Sequence, residues 1–348
     1  MIIALDAMGG DRAPVDPVRG AVLANREFGI DVALVGEPLA LQVELERQGG
    51  EDLGIQIVSA SEAIAMEEQP VQAVRQKKDA SINVAMQLVK KGEAAAVVSA
   101  GNTGAVMASA LLNLGRVPGI ERPALGTIAP YTQTGILVLD VGANADCKPS
   151  YLVQFAQMGA VYAQKVLGLA QPRIGLLNIG EEESKGNELT QQVFALLRES
   201  DLNFIGNVEP DRIPLGVADV VVTDGFTGNV AVKAVEGMAD FIFSQLKAGI
   251  MSRPQYRLAA LVLRPVLLQM RRRMDYGEYG GAPLLGVNGV VIVAHGRADG
   301  QAIKNALRNA REAASSGMLD ALRALSAQAA TDEAVPSTAA SSSGETRA

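Results

Sequence analysis

Four glycine-containing segments of this sequence carry the residues whose types and spacing could support chemistry. They are Asp6–Asp11, Ser99–Ala105, Asn178–Asn187 and Thr223–Asn229, and each follows a short apolar run. A glycine turn that leads into a helix exposes backbone N–H groups, and the helix dipole adds positive potential, so such turns bind anions. A single turn is weak evidence, because glycine is also the usual residue where φ is positive. None of the four matches a P-loop or a dinucleotide fingerprint, so together they indicate a small anion and an extended substrate.

The rest of the chain predicts the elements that must position these turns. Short β-branched runs alternate with longer amphipathic stretches, which is the pattern of βαβ units around a largely parallel sheet with helices on both faces. The candidate strands are Ile2–Leu5, Val32–Val35, Ile55–Val58, Ala95–Ser99, Ala124–Ala129, Ile136–Asp140, Ile174–Asn178, Phe204–Gly206, Val220–Thr223 and Val290–Ala294. The clearest helical stretches are Pro14–Phe28, Ser81–Lys91, Tyr151–Leu167, Glu188–Glu199 and Asn229–Ile250. The fold class is therefore α/β, and ligands are expected beyond the carboxyl ends of the strands.

The composition excludes several classes of protein. The chain has 348 residues, 36 glycines and a formal charge of −7. This acidic balance argues against nucleic-acid binding, because no basic excess exists to displace counterions. We expect a single α/β domain over residues 1–330. The tail over 331–348 is rich in Ser, Ala and Thr and is expected to be disordered.

A single cysteine, Cys147, and a single histidine, His295, limit the possible sites. One cysteine cannot form an intrachain disulfide, and no cysteine or histidine spacing suggests zinc. We therefore expect no metal and no cofactor. The N-terminus lacks the pattern of a signal peptide, and no apolar run reaches the roughly 18 residues of a membrane-spanning helix. These features predict a cytoplasmic protein.

Five motifs occur along the chain in a characteristic order. They are DAMGGD at Asp6–Asp11, SAGNTGA at Ser99–Ala105, LLNIGEE at Leu176–Glu182 with KGN at Lys185–Asn187, DVVVTDGFTGNVAVKAVEG at Asp219–Gly237 and YGGAPLLGVNGVVIVAHG at Tyr279–Gly296. In these motifs the sequence resembles the bacterial phosphate acyltransferase family PlsX, and the match spreads from residue 2 to about residue 315. The resemblance implies conversion of acyl-acyl carrier protein and inorganic phosphate into acyl phosphate for phospholipid synthesis. It also implies a homodimer and a three-layer α/β/α fold like that of isocitrate and isopropylmalate dehydrogenases, shared with phosphotransacetylases.

The implied reaction needs anion-binding groups more than a covalent nucleophile, because phosphate itself attacks the thioester. The protein must hold two anionic groups together and stabilise the oxyanion that forms. Lys185 is the first candidate to bind phosphate or the oxyanion, although it could equally be a solvated lysine beside Glu181–Glu183. Asn229 is expected to donate its amide to the oxyanion or to cap a helix. Asp224 is expected to position Lys185 or to form a turn.

The remaining candidates are expected to line the substrate site. Asp6 cannot bind an anion directly and is expected to shape its loop or to meet a cation. Asn144 is expected to contact the pantetheine arm or phosphate. His295 is either an acid that protonates the leaving thiolate or a structural histidine. The full set is Asp6, Gly9, Gly10, Ser99, Gly101, Asn102, Thr103, Gly104, Asn144, Gly228 and His295, with Asn102, Thr103 and the N–H groups of Gly101 and Gly104 forming the phosphate cradle.

A basic and apolar segment lies within this otherwise acidic chain. Lys247–Arg273 contains seven basic residues and no acidic one. Because Pro265 interrupts the segment, a kinked helix or a helical hairpin is expected to protrude over about 247–275. Such a segment could steer an acidic carrier protein, lie on an anionic membrane or pack at a dimer contact. The expected contact residues are Arg257, Leu261, Arg264, Leu267, Arg271, Arg272 and Arg273.

The resemblance further implies peripheral association with the inner face of the cell membrane, where the downstream glycerol-3-phosphate acyltransferase is a possible partner. Three alternative functions remain open from the residues. A phosphotransacetylase-like enzyme would take acyl-CoA, which is also anionic. A non-catalytic scaffold would dock at the membrane and leave the polar turns without a role. An oxidoreductase of the related fold would need metal-binding aspartates and a nucleotide site that the sequence does not show.

Overall fold

Short runs of buried apolar residues build the strands of this protein. The computed structural model describes residues 1–273 and 280–333, apart from the side chains of 268, 271–273 and 326–333. Within these residues the strands are β1 (Ile2–Asp6), β2 (Asp31–Gly36), β3 (Gln56–Ser59), β4 (Ala96–Ser99), β5 (Ala124–Ala129), β6 (Ile136–Leu139), β7 (Ile174–Leu177), β8 (Phe204–Val208), β9 (Val220–Val222), β10 (Ala282–Leu285) and β11 (Val290–Val293).

The helices fall mostly between these strands. They are α1 (Val15–Phe28), α2 (Pro38–Arg47), α3 (Pro70–Gln76), α4 (Ser81–Lys90), α5 (Thr103–Asn113), α6 (Pro149–Lys165), α7 (Glu188–Arg198), α8 (Gly225–Met251), α9 (Pro254–Arg273), α10 (Gly300–Ser315) and α11 (Met318–Glu333). The predicted strands and helices are all found, with ends that shift by a few residues. Strand β10 was not expected, and α8 begins four residues earlier than predicted.

Helices cover both faces of the sheet, because alternate residues of each strand point to opposite sides. In β11, for example, Val290 and Ile292 pack in one apolar cluster with helices α1, α6 and α10. Val291 and Val293 pack in another cluster with α4 and α5. This arrangement is the predicted three-layer α/β/α class.

The sheet has the order β3-β2-β1-β4-β11-β10-β5-β6-β9-β7-β8. Strands β3, β2, β1, β4 and β11 are mutually parallel, as are β6, β9, β7 and β8. Pairing is antiparallel between β11 and β10, between β10 and β5, and between β5 and β6. These three reversals make the second parallel group run opposite to the first, so its carboxyl ends lie at the other end of the sheet.

Strand β10 joins the two groups over a short distance. Ala282 and Pro283 pair with the end of β11, whereas Leu284 and Leu285 pair with the beginning of β5. Four residues of strand span only about 13 Å. The carboxyl ends of the two parallel groups therefore approach each other across β10, although they point in opposite directions.

The basic and apolar segment forms a helical hairpin, but its turn differs from the expected one. Helix α8 ends at Met251 and Pro254 begins α9, so the break lies at Ser252 and Arg253. Helix α9 continues through Pro265. Proline is well suited to the first turn of a helix, where its missing N–H costs nothing. At the C-terminus α11 continues to Glu333, three residues beyond the predicted boundary, and the rest of the predicted tail lies outside the described residues.

Candidate active site

A buried carboxylate organises the turn after β1. Asp6 accepts hydrogen bonds from Ser81 Oγ at 2.6 Å, from Ser99 Oγ at 2.7 Å and from the Met8 backbone N–H at 3.3 Å. Burial raises the pKa of Asp6, and these hydrogen bonds act in the opposite direction. Of the two predicted roles for Asp6, the contacts favour the shaping of its loop, and Ser99 serves the same network.

Glycines let the turns after β1, β4 and β11 pack closely. A Cβ built on Gly9 would lie 2.6 Å from Asp6 Oδ2 and 2.8 Å from the Gly101 nitrogen. Gly10 has a φ of 104°, which disfavours other residues. The Asp11 backbone N–H donates to Gly296 O at 2.8 Å. The expected convergence of the first two turns is therefore present, and a third turn joins them.

The turn after β4 leads directly into α5. Asn102 caps this helix by accepting from the Ala105 N–H at 3.2 Å, and its amide nitrogen donates to Met66 O at 2.8 Å. Both ends of the Asn102 side chain are thus occupied within the protein. Thr103 and Gly104, the next two residues, line the large cleft described below.

A second buried carboxylate, which the sequence did not single out, fixes the turn after β6. Asp140 is 0% exposed. Its Oδ1 accepts from the N–H groups of Leu125, Gly142 and Ala143 at 3.0–3.1 Å. Its Oδ2 accepts from the backbone and side-chain nitrogens of Asn144 at 2.8 and 2.9 Å. Burial raises the pKa of Asp140, and these donors oppose the rise because each of them stabilises the charged form.

Asn144 and Cys147 belong to the same turn. The Asn144 amide donates to Pro123 O at 2.8 Å as well as to Asp140, so both of its hydrogens are used within the protein. Burial, together with the negative charge of Asp140, raises the pKa of Cys147 to about 11. A thiol with this pKa is a poor nucleophile near neutral pH.

Helix α8 begins on this turn. Asp224 is its N-cap and accepts from the Thr227 N–H at 2.8 Å, which is the turn role considered for it. A Cβ on Gly228 would lie 2.0 Å from Asp140 O, so Gly228 lets the helix touch the turn. Asn229 is not the cap but lies one turn into the helix. Its Nδ2 lies 3.0 Å from the position of a Cβ on Gly142, and both residues line the cleft.

The cleft has a volume of about 1160 Å³ and brings together parts of both strand groups. Thr103, Gly104, Gly142, Asn229 and His295 line it just beyond strand ends or near helix starts, and this part is called its polar end. From there the cleft follows one side of α8, where its lining residues run from Asn229 through Val232, Glu236, Phe243 and Lys247 to Ile250. At 1.5 Å per residue this side is about 32 Å long. The cleft is thus long enough for an extended substrate with a polar end.

The turn after β11 places a histidine and an arginine in this cleft. His295 Nδ1 accepts from the Arg297 backbone N–H at 3.2 Å, so the neutral ring carries its proton on Nε2. Both residues are exposed and line the cleft. His295 was a candidate from the sequence, whereas Arg297 was missed. Its signal was available, since HGRADG follows a strand and precedes α10 as the other glycine turns precede their helices.

Lys185 lies outside the described lining of the cleft. It follows β7, and its side chain is 48% exposed with the ammonium 4.0 Å from Glu182 Oε2. Strand β7 lies next to β9, which leads to Asp224, but Lys185 is not among the described residues that line the cleft. Its predicted catalytic role stays a prediction.

The expected contact residues of the hairpin are partly described. Arg257 donates to Met251 O at 2.9 Å and so holds the hairpin turn. Arg264 and Leu267 line the far end of the cleft, whereas Leu261 is 67% exposed. The side chains of Arg271, Arg272 and Arg273 lie outside the described residues. No helix in the described part of the chain is both long and apolar enough to cross a membrane.

No metal-binding group is found in the part of the chain that the structure describes, where no cluster of three His, Cys, Asp or Glu side chains is placed to hold an ion. The donors that line the polar end of the cleft are hydroxyl, amide, imidazole and guanidinium groups. Donors of this kind suit an anion better than a cation.

Comparison with known sequences covers nearly the whole chain. The family described as fatty acid synthesis protein matches residues 1–320. A phosphate acyltransferase from Desulfitobacterium hafniense is 52% identical over 324 residues, which cover 93% of this chain and 97% of that protein. A phosphate acyltransferase from Heliobacterium modesticaldum is 53% identical over 324 residues, with the same coverage of both chains. Every segment of the site described above falls within the matched residues.

Comparison with solved structures concerns the fold. The EutD phosphotransacetylase from Staphylococcus aureus has a TM-score of 0.62 at 14% identity, covering 90% of this chain and 94% of that one. A phosphotransacetylase from Streptococcus pyogenes has a TM-score of 0.58 at 19% identity, with the same coverage. A 4-hydroxythreonine-4-phosphate dehydrogenase from Klebsiella pneumoniae has a TM-score of 0.51 at 15% identity, covering 90% and 99%. The predicted fold class is confirmed.

Proposed function

This chain belongs to the phosphate acyltransferase family and is an acyltransferase, and we propose that it moves a fatty acyl group from acyl carrier protein to inorganic phosphate. The observation that carries the proposal is the long cleft with anion-binding donors at one end. The acyl phosphate formed would supply phospholipid synthesis.

The reaction needs little covalent chemistry from the protein. A phosphate oxygen forms a bond to the thioester carbonyl carbon, the carbon–sulfur bond breaks, and the leaving thiolate takes the proton that hydrogen phosphate loses. Asn229 supports this step because its amide lies in the cleft beside Gly142 and forms no hydrogen bond with the described residues. We assign it to the oxyanion, which preorganised donors stabilise more strongly than water does. Thr103 and the start of α5 offer further donors in the same cleft.

The proposed role of Lys185 depends on a second subunit. Because Lys185 does not line the cleft of its own chain, a homodimer would have to bring it to the partner's cleft. Lys185→Ala should then abolish acyl-phosphate synthesis in a folded dimer. Full activity in that variant would remove Lys185 from the mechanism.

The donor is tested directly. The full chain is incubated with phosphate and either acyl-acyl carrier protein or acyl-CoA, and acyl phosphate is trapped with hydroxylamine. Preference for the carrier protein supports the proposal, whereas preference for acyl-CoA supports the phosphotransacetylase alternative, which the shared fold favours. No product from either donor, in protein whose folding is verified, would favour the scaffold alternative. Asn229→Ala, expected to lower kcat by about 10²-fold or more, links any activity to this cleft.

Charge at the far end of the cleft supports a protein donor. Lys247 of α8 and Arg264 of α9 line this end, and neither forms an ion pair with the described residues. Cations at the mouth of a site steer an acidic partner towards it. Arg264→Gln should therefore raise the KM for acyl-acyl carrier protein, and the effect should weaken at high salt.

We also propose that the α8–α9 hairpin contacts the membrane surface. Its outer face exposes large apolar side chains, among them Leu258 at 69%, Leu261 at 67% and Val262 at 79%. Arg253 and Arg257 lie at the turn of the same hairpin. Apolar residues flanked by basic ones are typical of helices that lie on anionic bilayers. A second copy of the chain would bury the same side chains in a dimer, so the test must separate the two.

Leu261→Glu with Val262→Glu tests the membrane contact. Leu267 is left unchanged because it lines the cleft. The double variant should no longer sediment with vesicles that contain phosphatidylglycerol, whereas Leu39→Glu with Leu215→Glu, at similarly exposed positions outside the hairpin, should sediment like the parent. Unchanged vesicle binding together with loss of the dimer in analytical ultracentrifugation would show a subunit contact instead. The same vesicle assay with the downstream membrane acyltransferase embedded would test that proposed partnership.

A further inference from the structure

The cleft contains four described cations, and they differ in their surroundings. Lys233 is 2.8 Å from Glu236 and is therefore neutralised. Lys247 and Arg264 lie at the far end, between α8 and α9. Arg297 lies at the polar end, in the turn between β11 and α10.

Arg297 is placed beside the turn that carries Thr103. Strands β4 and β11 are adjacent and parallel, with Ser99 opposite Val293. Thr103 and Arg297 each lie four residues beyond this pair, so the two turns leave the sheet side by side. Both residues line the same cleft as Asn229, which lies near the start of α8.

The backbone around Arg297 is held in place by several hydrogen bonds. Gly296 O accepts from Asp11, and the Ala298 N–H donates to His295 O at 2.8 Å. Asp299 does not neutralise the arginine but caps α10, accepting from the Gln301 and Ala302 N–H groups at 3.1 and 3.0 Å. The Arg297 guanidinium itself forms no hydrogen bond or ion pair with any residue that the structure describes.

We propose that Arg297 binds the attacking inorganic phosphate, a role that rests on the proposed function. A guanidinium can donate two parallel hydrogen bonds to two phosphate oxygens, which holds the third oxygen towards the thioester carbonyl. Three cations of the cleft have no carboxylate partner among the described residues, and of these Arg297 lies in the turn beside Thr103, whereas Lys247 and Arg264 lie on α8 and α9. Arg297 is therefore the one placed to attract a doubly charged anion near Thr103. Arg297 thus holds the nucleophile, while Asn229 faces the developing oxyanion.

Arg297→Gln and Arg297→Lys test the assignment, with Arg264→Gln as the control at the other end of the cleft. Initial rates are measured with phosphate varied at saturating acyl-acyl carrier protein, and then the reverse. Arg297→Gln should raise the KM for phosphate at least tenfold and leave the donor KM within twofold, and Arg297→Lys should fall between it and the parent. Arg264→Gln should leave the phosphate KM unchanged.

Two results would overturn the assignment. One is an unchanged phosphate KM in Arg297→Gln, and the other is a rise confined to the donor KM, which would assign Arg297 to the pantetheine phosphodiester. If either Arg297 variant is too slow for kinetics, titration calorimetry with inorganic phosphate decides, since parent-like binding in the variant also refutes the inference. A parent protein that binds phosphate through Arg297 but makes no acyl phosphate would instead refute the proposed function.

Discussion

Asp140 offers a sharp test of how this site is built. Its two carboxylate oxygens accept five hydrogen bonds from buried or half-buried N–H groups, three at Oδ1 and two at Oδ2. Asp140→Asn keeps the shape of the side chain but replaces one oxygen with an NH₂ group. Whichever way the new amide turns, at least two N–H donors lose their acceptor and face another donor.

The expected cost follows from these lost acceptors. A buried polar group left without its partner costs about 1–3 kcal/mol, so two such groups cost about 2–6 kcal/mol. This is a large share of the roughly 5–15 kcal/mol by which a folded protein is stable. With a urea slope of about 3 kcal/mol per M, the unfolding midpoint should fall by about 0.7–2 M.

The assay is equilibrium urea unfolding at neutral pH, followed by far-UV circular dichroism. Asp299→Asn is the matched control, because asparagine caps a helix about as well as aspartate and its change should stay within about 0.5 kcal/mol. An Asp140→Asn variant within about 0.5 kcal/mol of the parent would show that the five hydrogen bonds do not hold the turn.

Two further predictions concern an ion pair and a glycine. Burial alone would raise the pKa of Asp219, but the hydrogen bonds from Arg173 outweigh it and hold the pKa below its usual 3.8. The stability that ionised Asp219 contributes is therefore present above about pH 4 and is lost as the pH falls. The difference in unfolding free energy between the parent and Asp219→Asn should accordingly shrink from pH 5 to pH 2. Gly142 has a φ of 144° and lies against the Asn229 amide, so Gly142→Ala should lower kcat about tenfold or more. Gly92→Ala, where φ is 75° and nothing lies within 4 Å, should cost about 1–3 kcal/mol of stability and leave kcat unchanged.

Much of the fold could be predicted because its strands are short β-branched runs that end in glycine turns. Strand β10 was missed because Ala282–Leu285 contains a proline and lies between glycines, which reads as a loop. Its pairing with both β11 and β5 is a long-range contact that local pattern does not encode. The reversal of the second strand group was readable, since only residues 130–135 connect β5 to β6, too few for a crossover between parallel strands.

Part of the candidate site could also be predicted from the sequence. Thr103 and Asn229 were found because each follows a strand and a glycine, and His295 was found because it is the single histidine and follows a strand. The structure brings all three to one cleft. Lys185 was grouped with them on the assumption that all the turns share one end of the sheet. In the sheet, β7 is separated from β10 by β5, β6 and β9, so the turn after β7 leaves the sheet farther from the cleft than the turns after β6 and β9 do. Asp140 was overlooked because a buried acid with five backbone and amide donors has no local sequence pattern.

Strand β10 also sets a limit on how this chain can change its length. Its first two residues pair with β11 and its last two pair with β5. No residue separates the two pairs. Inserting or deleting a single residue there would turn one pair of side chains to the wrong face and break one of the two registers. Surface loops elsewhere tolerate such changes in length. A change of length in β10 would instead disrupt the junction between the two groups of parallel strands.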